Sequence, residues 1–203
     1  MTLPDSTEAG WFGLSPVTES ASPGTPRAHS VFSRILSRPG LRDLPYVVIV
    51  EPIGVPGAWT LQGGRVHVTS GLLTLVKSDI GLATVLAHEL GHSERRHTLK
   101  RLMRGVFVSL PMNTLLGRYN VRGGSEGVRL AELAHDRDQE LEADEFALHR
   151  VRDAYGTTEG SLEFFDWLAK QNPTNSAVVR ITQTHPLPEE RLARLRELQR
   201  SLR

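Results

Sequence analysis

The 203-residue chain carries 24 Lys and Arg residues against 23 Asp and Glu residues, and 39% of its residues are hydrophobic. This balance predicts neither a nucleic acid partner nor an acidic membrane surface, because both demand a strong positive field. The chain contains no cysteine, which excludes disulfides, cysteine metal ligands and a thiol nucleophile. Any metal ion must therefore be held by His, Asp or Glu.

Residues 1–27 are rich in Pro, Ser, Gly and Thr and show no hydrophobic period. Such a composition buries too little apolar surface to offset the entropy of ordering, so a flexible N-terminal arm is predicted. Residues 28–203 are predicted to form one domain. No signal peptide and no apolar run of transmembrane length is visible. We therefore expect a soluble protein, a monomer by preference, in the cytoplasm or exported if a signal peptide has been removed.

The first half of that domain is predicted to contain a small sheet. A helix is expected over about 28–38, ending before Pro39. Short β-branched runs predict strands at 46–51, 58–61 and 65–69, and the Pro and Gly residues between them favour an antiparallel arrangement. The predicted fold class is therefore α+β, dominated by helices, with a small three-stranded antiparallel sheet.

From residue 70 onward the pattern is helical. Ser70 is expected to cap the first of these helices, and Ser78 or Asp79 the second. Pro186 is expected to open the last helix. The predicted helices cover 71–77, 80–103, 105–117, 127–151, 158–171 and 186–203.

The segment VLAHELGHSERRH at 85–97 contains the first candidate site. His88 and His92 are four residues apart, so both imidazoles can face one metal ion from the same side of a helix. Glu89 projects beside them and can take a proton from a metal-bound water. The competing interpretation is an ordinary helix with a histidine pair facing water. Gly91 argues against it, because glycine inside a helix suggests the close approach of another backbone or of a substrate.

The acidic run AHDRDQELEADEFALHR at 134–150 is the obvious source of a third ligand, although most such runs are solvated helix faces. Glu140 and Asp144 share one helical face. Glu140 can bind the metal while Asp144 accepts the free Nδ1–H of a ligand histidine. Glu142 is the rival ligand, but it lacks an acidic partner four residues later. Arg137 could hold the cluster by an ion pair.

Two segments, AHELGHSERRH at 87–97 and RDQELEAD at 137–144, resemble metallopeptidase family 48, the zinc peptidases that include the CAAX prenyl proteases and HtpX-like quality-control proteases. The resemblance covers about 45–200. It implies a gluzincin-type zincin fold, one zinc ion per chain with Glu140 as the third ligand, and a peptide substrate. The matching residues are His88, Glu89, Gly91, His92, Arg96, His97, Arg137, Glu140, Ala143 and Asp144.

The segment THPLPEER at 184–191 contains a further pair. Pro186 pushes His185 towards extended geometry, and the family has a similar His-Pro followed by Arg. The resemblance implies that His185 and Arg191 lie over the zinc and stabilise the oxyanion of the tetrahedral intermediate. His185 could instead occupy the water position in a latent form, or be an ordinary turn histidine. The oxyanion role is favoured because Arg191 can share it.

The segment VPGAWTLQGGRVHVTSGLL at 55–73 also resembles the family, although Gly57 and Gln62 stand where it usually has Asn and Pro. An edge strand here could pair with an extended peptide by main-chain hydrogen bonds. The candidate substrate-binding residues in this segment are Ala58, Trp59, Thr60, Gly63 and Gly64.

These patterns together predict a soluble zinc metalloendopeptidase acting on peptides or unfolded proteins. Zinc is expected on His88, His92 and Glu140, with Glu89 as the general base that activates the zinc-bound water. A non-catalytic, metal-stabilised binding or chaperone-like protein is the alternative from another class. A zinc enzyme acting on a small substrate is disfavoured by the predicted peptide-binding strand.

Overall fold

The computed structural model describes residues 24–61, 63–100, 137–172, 181–182 and 185–203. The predicted helix at 105–117 and the first part of the helix predicted over 127–151 lie outside these ranges, as does most of the predicted arm at 1–27. The division into an arm and a domain stays a prediction. The elements are α1 (Thr25–Leu36), β1 (Val47–Glu51), β2 (Ala58–Leu61), β3 (Arg65–Thr69), α2 (Ser70–Leu75), α3 (Asp79–Glu94), α4 (Arg137–Tyr155), α5 (Glu163–Ala169) and α6 (Glu189–Ser201).

Helix α3 runs through the middle of the described structure. The Ser78 hydroxyl caps it by accepting a hydrogen bond from the backbone N–H of Gly81, as predicted. Every residue of the helix from Gly81 to Ser93 is buried, because α1, α4, α5 and the sheet all pack against it. A helix buried on every side carries no polar face, so a polar side chain within it requires a partner or a function.

The strand order is β1-β3-β2. β2 pairs antiparallel with β3, but β1 pairs parallel with it, so the prediction of a wholly antiparallel sheet is wrong. The reason is the path of 52–57, which crosses the end of β3 instead of turning back beside β1. This crossing leaves β2 at the edge of the sheet, in contact with α3.

Gly71 permits this crossing. Its N–H donates to the carbonyl of Ile53 at 2.9 Å, and a Cβ on Gly71 would lie 2.2 Å from the carbonyl oxygen of Gly54. Thr69 fixes the same segment, since its hydroxyl donates to the Val55 carbonyl and caps α2 by accepting from the N–H of Leu72. The cap of α2 is therefore Thr69 rather than the predicted Ser70, because the helix begins one residue earlier.

Helix α3 ends at Glu94, well before the predicted end at 103. Arg96 adopts the left-handed backbone conformation with φ of 54°, which interrupts the helix before a helical segment resumes at His97. A left-handed residue is normally signalled by glycine or asparagine, and neither is present here. The early end of α3 could therefore not be predicted from local sequence.

Other helix boundaries shift because of glycine and proline. Helix α5 begins at Glu163 rather than 158, since Gly160 has a left-handed φ of 90°. Helix α6 begins after Pro188 rather than at Pro186, because a residue that precedes proline is held in extended geometry. Helix α4 ends at Tyr155, and the left-handed Gly156 follows it. In the ranges that the structure describes, no helix is both long and apolar enough to cross a membrane.

We predict that Gly71→Ala lowers the free energy of unfolding by about 1–3 kcal/mol or more, because the new methyl group collides with backbone rather than with a movable side chain. Gly54→Ala is the matched control, since a Cβ at Gly54 meets no atom within 4 Å. Its effect should stay below about 1 kcal/mol. Urea denaturation followed by circular dichroism measures both, and equal effects would contradict the steric argument.

Candidate metal centre

Two histidines on α3 and one glutamate on α4 converge in the interior. His88 and His92 lie one helical turn apart, with their Nε2 atoms separated by 3.0 Å. The carboxylate oxygens of Glu140 lie 3.5 Å from Nε2 of His88 and 3.3 Å from Nε2 of His92. His92 and Glu140 are almost fully buried, at 0% and 1% exposure. The packing of α3 against α4 thus brings together the three predicted ligands.

The close approach of α3 and α4 explains the glycine inside α3. A Cβ on Gly91 would lie 3.2 Å from the Cα of Ala143 and 3.1 Å from the ring of Phe146. The small residue on each helix lets the two backbones approach closely. The expectation that Gly91 accommodates another backbone is confirmed.

His185 joins the group from the turn before α6. Its Nδ1 lies 3.1 Å from Oε1 of Glu140 and 3.4 Å from Nε2 of His88. Its other ring nitrogen, Nε2, lies 3.5 Å from the carboxylate of Glu89. His185 is therefore in contact with both the ligand group and the predicted general base, and it is more than an ordinary turn histidine.

The donor atoms of these residues fit a bound metal ion. One ligand atom from each of His88, His92, Glu140 and His185 lies within 4.8 Å of the other three. A tetrahedral ion with bonds of about 2.0–2.1 Å places its ligand atoms about 3.3 Å apart. The separations of 3.0 to 3.5 Å between these donors bracket that value. Three imidazoles and one carboxylate are also the donor types that a cysteine-free site requires.

The carboxylate of Asp144 contacts the ring nitrogen of His88 that faces away from the candidate metal site, and the guanidinium of Arg191 contacts that carboxylate. Nδ1 of His88 lies 2.9 Å from Oδ1 of Asp144, the partner predicted from the helical spacing. Arg191 donates to both carboxylate oxygens of Asp144, at 2.7 and 2.8 Å. Its Nη1 lies 2.6 Å from Oε2 of Glu140 and also donates to the Pro186 carbonyl. The ion pair predicted for Arg137 is thus made by Arg191, while Arg137 is exposed and has no ion pair with any residue of the described ranges.

The ionisation of the cluster follows from these contacts. Burial opposes a charge on His88, but the carboxylates of Asp144 and Glu140 outweigh burial and raise its pKa to about 10. Burial likewise opposes the charge on Glu140, but the contacts with His185, His88 and His92 hold the pKa of this carboxyl well below its usual range. The guanidinium of Arg191 and the ring of His88 overcome burial to lower the pKa of Asp144. Two ionised carboxylates are therefore held in the interior, where a bound cation stabilises them.

Comparisons with known proteins agree with this geometry. Residues 24–199 match the model of peptidase family M48. The chain belongs to this family. It is 26% identical over 181 residues to the mitochondrial metalloendopeptidase OMA1 of Schizosaccharomyces pombe. The aligned region covers 88% of this chain and 54% of the OMA1 protein.

Two further relatives are similar to this chain. The OMA1 protein of Saccharomyces cerevisiae is 30% identical over 156 residues, covering 71% of this chain and 44% of that protein. The β-barrel assembly-enhancing protease of Escherichia coli is 28% identical over 160 residues, covering 72% of this chain and 33% of that protein. The M48 chain thus spans between about one third and one half of the length of these relatives.

His97 contacts the candidate ligand His92. The sequence alone assigned no role to His97. Its Nδ1 lies 2.9 Å from Nδ1 of His92, and its Nε2 lies 3.2 Å from Oε2 of Glu142. Burial lowers the pKa of His97 despite the nearby Glu142, which favours a neutral ring. His97 therefore orients His92 much as Asp144 orients His88. A continuous helix through 103 would have carried His97 away, so only the match of Arg96 and His97 to the family pointed to it.

A cleft of ≈ 270 Å³ opens beside the candidate metal ligands. Glu89, His185 and Arg191 line it together with Ala58 and Trp59 of β2. Two of the predicted substrate-binding residues are thus at the cleft.

The other three predicted substrate-binding residues, Thr60, Gly63 and Gly64, stabilise or form the turn between β2 and β3. Thr60 is buried, and its hydroxyl donates to the Arg65 carbonyl. Gly63 and Gly64 form the turn with left-handed φ values of 79° and 85°. Among the described residues, these three are not part of the cleft lining.

We predict that Glu140→Gln abolishes stoichiometric metal binding, because it removes the carboxylate charge from the ligand group. Glu142→Gln is the matched control on the same helix: its side chain is 51% exposed and contacts His97 rather than the ligand group. It should retain metal, with at most the 10–100-fold loss of affinity typical of outer partners. Elemental analysis after reconstitution and gel filtration measures both. Equal metal contents in the two variants would contradict the assignment.

Proposed function

We propose that this chain is a zinc metalloendopeptidase that hydrolyses peptides or unfolded protein segments. The observation that carries the proposal is the position of Glu89, which lines the cleft beside three buried candidate ligands and the half-buried His185. Membership of family M48 and the similarity to a metalloendopeptidase and a protease support metalloprotease activity. A cytoplasmic location and a monomeric state remain predictions.

Zinc is the metal that the donor set favours. Nitrogen and carboxylate oxygen ligands at tetrahedral spacing are typical of catalytic zinc sites, which use three protein ligands and one exchangeable position. His88, His92 and Glu140 would hold one ion per chain, since all three are buried and fixed by their helices. When bound, zinc would polarise the scissile carbonyl and lower the pKa of the attacking water towards 7.

Glu89 would be the general base. It is adjacent to His88 on α3, but its carboxylate lines the cleft instead of joining the ligand group. From there it can take the proton of the attacking water and return it to the leaving amine. Its burial, at 3% exposure, excludes bulk water from that proton transfer. Burying a carboxylate is costly, which favours a functional role for Glu89 at this position.

The contacts of His185 support the latent-form role more than the oxyanion role. Its Nδ1 is a member of the four-atom ligand group, so we propose that it fills the exchangeable position at rest and moves aside for substrate. Arg191 is engaged by Asp144, Glu140 and the Pro186 carbonyl. We propose that Arg191 mainly positions these groups. Stabilisation of the oxyanion by His185 would require its ring to leave the ligand group.

Substrate would bind as an additional strand. β2 lies at the edge of the described sheet and contacts α3, and its first two residues line the cleft. An extended peptide paired with this edge would pass Glu89 with its backbone carbonyls accessible. A non-catalytic metal-stabilised binding protein would use the same edge, but it would have no use for a buried carboxylate beside the metal ligands.

We predict that Glu89→Gln retains zinc but loses at least about 10²-fold in peptide hydrolysis, because the amide keeps the shape of the side chain and cannot accept the proton. Casein and quenched fluorescent peptides, each with and without a chelator, measure activity, and elemental analysis measures zinc. Hydrolysis at the parental rate would exclude Glu89 as the base. Hydrolysis in neither protein would favour the binding alternative.

We predict that His185→Ala raises hydrolysis of short peptides or weakens zinc affinity, because it removes the fourth ligand of the resting site. If His185 instead stabilises the oxyanion, the same change lowers kcat with little effect on KM. Steady-state kinetics beside a zinc-affinity titration separate the two roles. Unchanged kinetics with unchanged zinc affinity would contradict both roles.

A further inference from the structure

Three side chains form a row across the outer face of the sheet, the face that points away from the core. Residues of a strand alternate between its two faces. The even-numbered valines of β1 and β3 are buried in the core: Val48, Val50, Val66 and Val68. The odd-numbered residues therefore lie on the outer face. Among them, Glu51 of β1 contacts His67 of β3, and His67 contacts Trp59 of β2.

Each contact in this row fixes the orientation of the next side chain. Oε1 of Glu51 lies 2.7 Å from Nδ1 of His67. Because an ionised carboxylate can only accept a hydrogen bond, the shared hydrogen belongs to Nδ1. Trp59 lies directly opposite His67 in the pairing of β2 with β3. The two rings are stacked, with centroids 5.1 Å apart and planes 8° from parallel. The carboxylate thus orients the imidazole, and the imidazole orients the indole.

The polar part of the row is not arranged to satisfy its own hydrogen bonds. Nε2 of His67 is buried and has no hydrogen-bond partner among the described residues. A buried nitrogen without a partner is a cost to the folded state. The side chain of Glu51 is 29% exposed, and an ion pair so close to solvent adds little stability. Both observations favour a role for this pair in holding the ring of Trp59.

Trp59 connects the row to the candidate active site. It lies on the edge strand β2 and lines the same cleft as Glu89. An extended peptide that pairs with β2 would pass directly beside its indole ring. β3 is the only neighbour of β2 in the described sheet, so the sheet supports this ring through His67.

We infer that Glu51 and His67 are positioning residues for peptide binding. They hold the indole of Trp59 in the orientation in which a substrate backbone passes along β2. The inference rests on the proposed peptidase function and adds two residues that are absent from the described lining of the cleft. Their loss weakens substrate binding and leaves the hydrolytic step unchanged, which distinguishes them from Glu89.

The first test is steady-state kinetics of the zinc-loaded protein with a quenched fluorescent peptide derived from casein. Glu51→Ala and His67→Ala should each raise KM by about 2–10-fold, the range for loss of one aromatic contact, with little change in kcat. Glu51→Gln keeps an oxygen that accepts from Nδ1–H and should recover most of the loss seen in Glu51→Ala. An unchanged KM, or a fall confined to kcat, would overturn the inference.

Val47→Ala is the matched control for the kinetics. Val47 lies on the same strand and the same face as Glu51, is 37% exposed, and does not belong to the described lining of the cleft. The change should leave KM unchanged. An equal rise of KM in Val47→Ala and Glu51→Ala would indicate a general effect on the sheet and would overturn the specific role of Glu51.

Tryptophan emission tests the position of the ring without any reference to activity. The chain has three tryptophans, so Trp11→Phe combined with Trp167→Phe leaves Trp59 as the sole emitter. In this background, His67→Ala should raise the quenching constant for acrylamide, because the indole loses the ring that covers one of its faces. His67→Phe should restore the shielding, since it supplies another ring for stacking. Equal quenching with and without His67→Ala would overturn the inference.

A binding measurement separates this inference from the proposed activity. On Glu89→Gln, the dissociation constant of a labelled peptide, measured by fluorescence anisotropy, should rise by about 2–10-fold when His67→Ala is added. If the parent protein hydrolyses no peptide but this rise is found, the proposed activity fails and the positioning role stands. If the parent hydrolyses peptides and the rise is absent, the activity stands and the positioning role is overturned. If Glu89→Gln binds no peptide, the positioning role is overturned as well.

Discussion

The close packing of α3 against α4 is the constraint on which the site depends. His88 and His92 belong to one helix and Glu140 to the other, so their nitrogen and oxygen atoms reach 3.3–3.5 Å only if the two backbones nearly touch. Gly91 and Ala143 provide that contact, with 3.2 Å between a Cβ built on the glycine and the alanine Cα. A Cβ on Gly91 would make a contact tighter than is usual, so a larger side chain there would push the two helices apart.

A buried charge network holds the same residues in orientation. Arg191 reaches from α6 to Asp144 and Glu140, so it links the candidate ligand Glu140, the carboxylate beside His88 and the turn that carries His185. Buried ion pairs add little net stability, but removing one partner is costly. The network therefore serves mainly to fix geometry. His97 extends the same principle to His92, which gives each ligand histidine of α3 its own supporting partner.

The strand order of the sheet, which differs from the predicted one, places β2 beside the candidate site. Local patterns identified the three strands correctly, because β-branched runs and flanking turns are local features. They could not reveal that 52–57 crosses the end of β3, since that path depends on contacts such as the one between Gly54 and Gly71. The crossing has two consequences: β2 becomes the edge strand beside α3, and Ile53 and Val55 join the lining of the cleft beside Glu89.

The sequence by itself determined which side chains share one face of a single helix. The four-residue spacings of His88 with His92 and of Glu140 with Asp144 predicted a shared face in each case, because helical periodicity is independent of the rest of the chain. The tertiary structure decided that Arg191, rather than Arg137, binds the acidic pair, and that His185, for which the sequence left several roles open, contacts the candidate ligands from 97 residues beyond His88. Such contacts depend on how separate elements pack, and neither periodicity nor spacing encodes the distance between two elements.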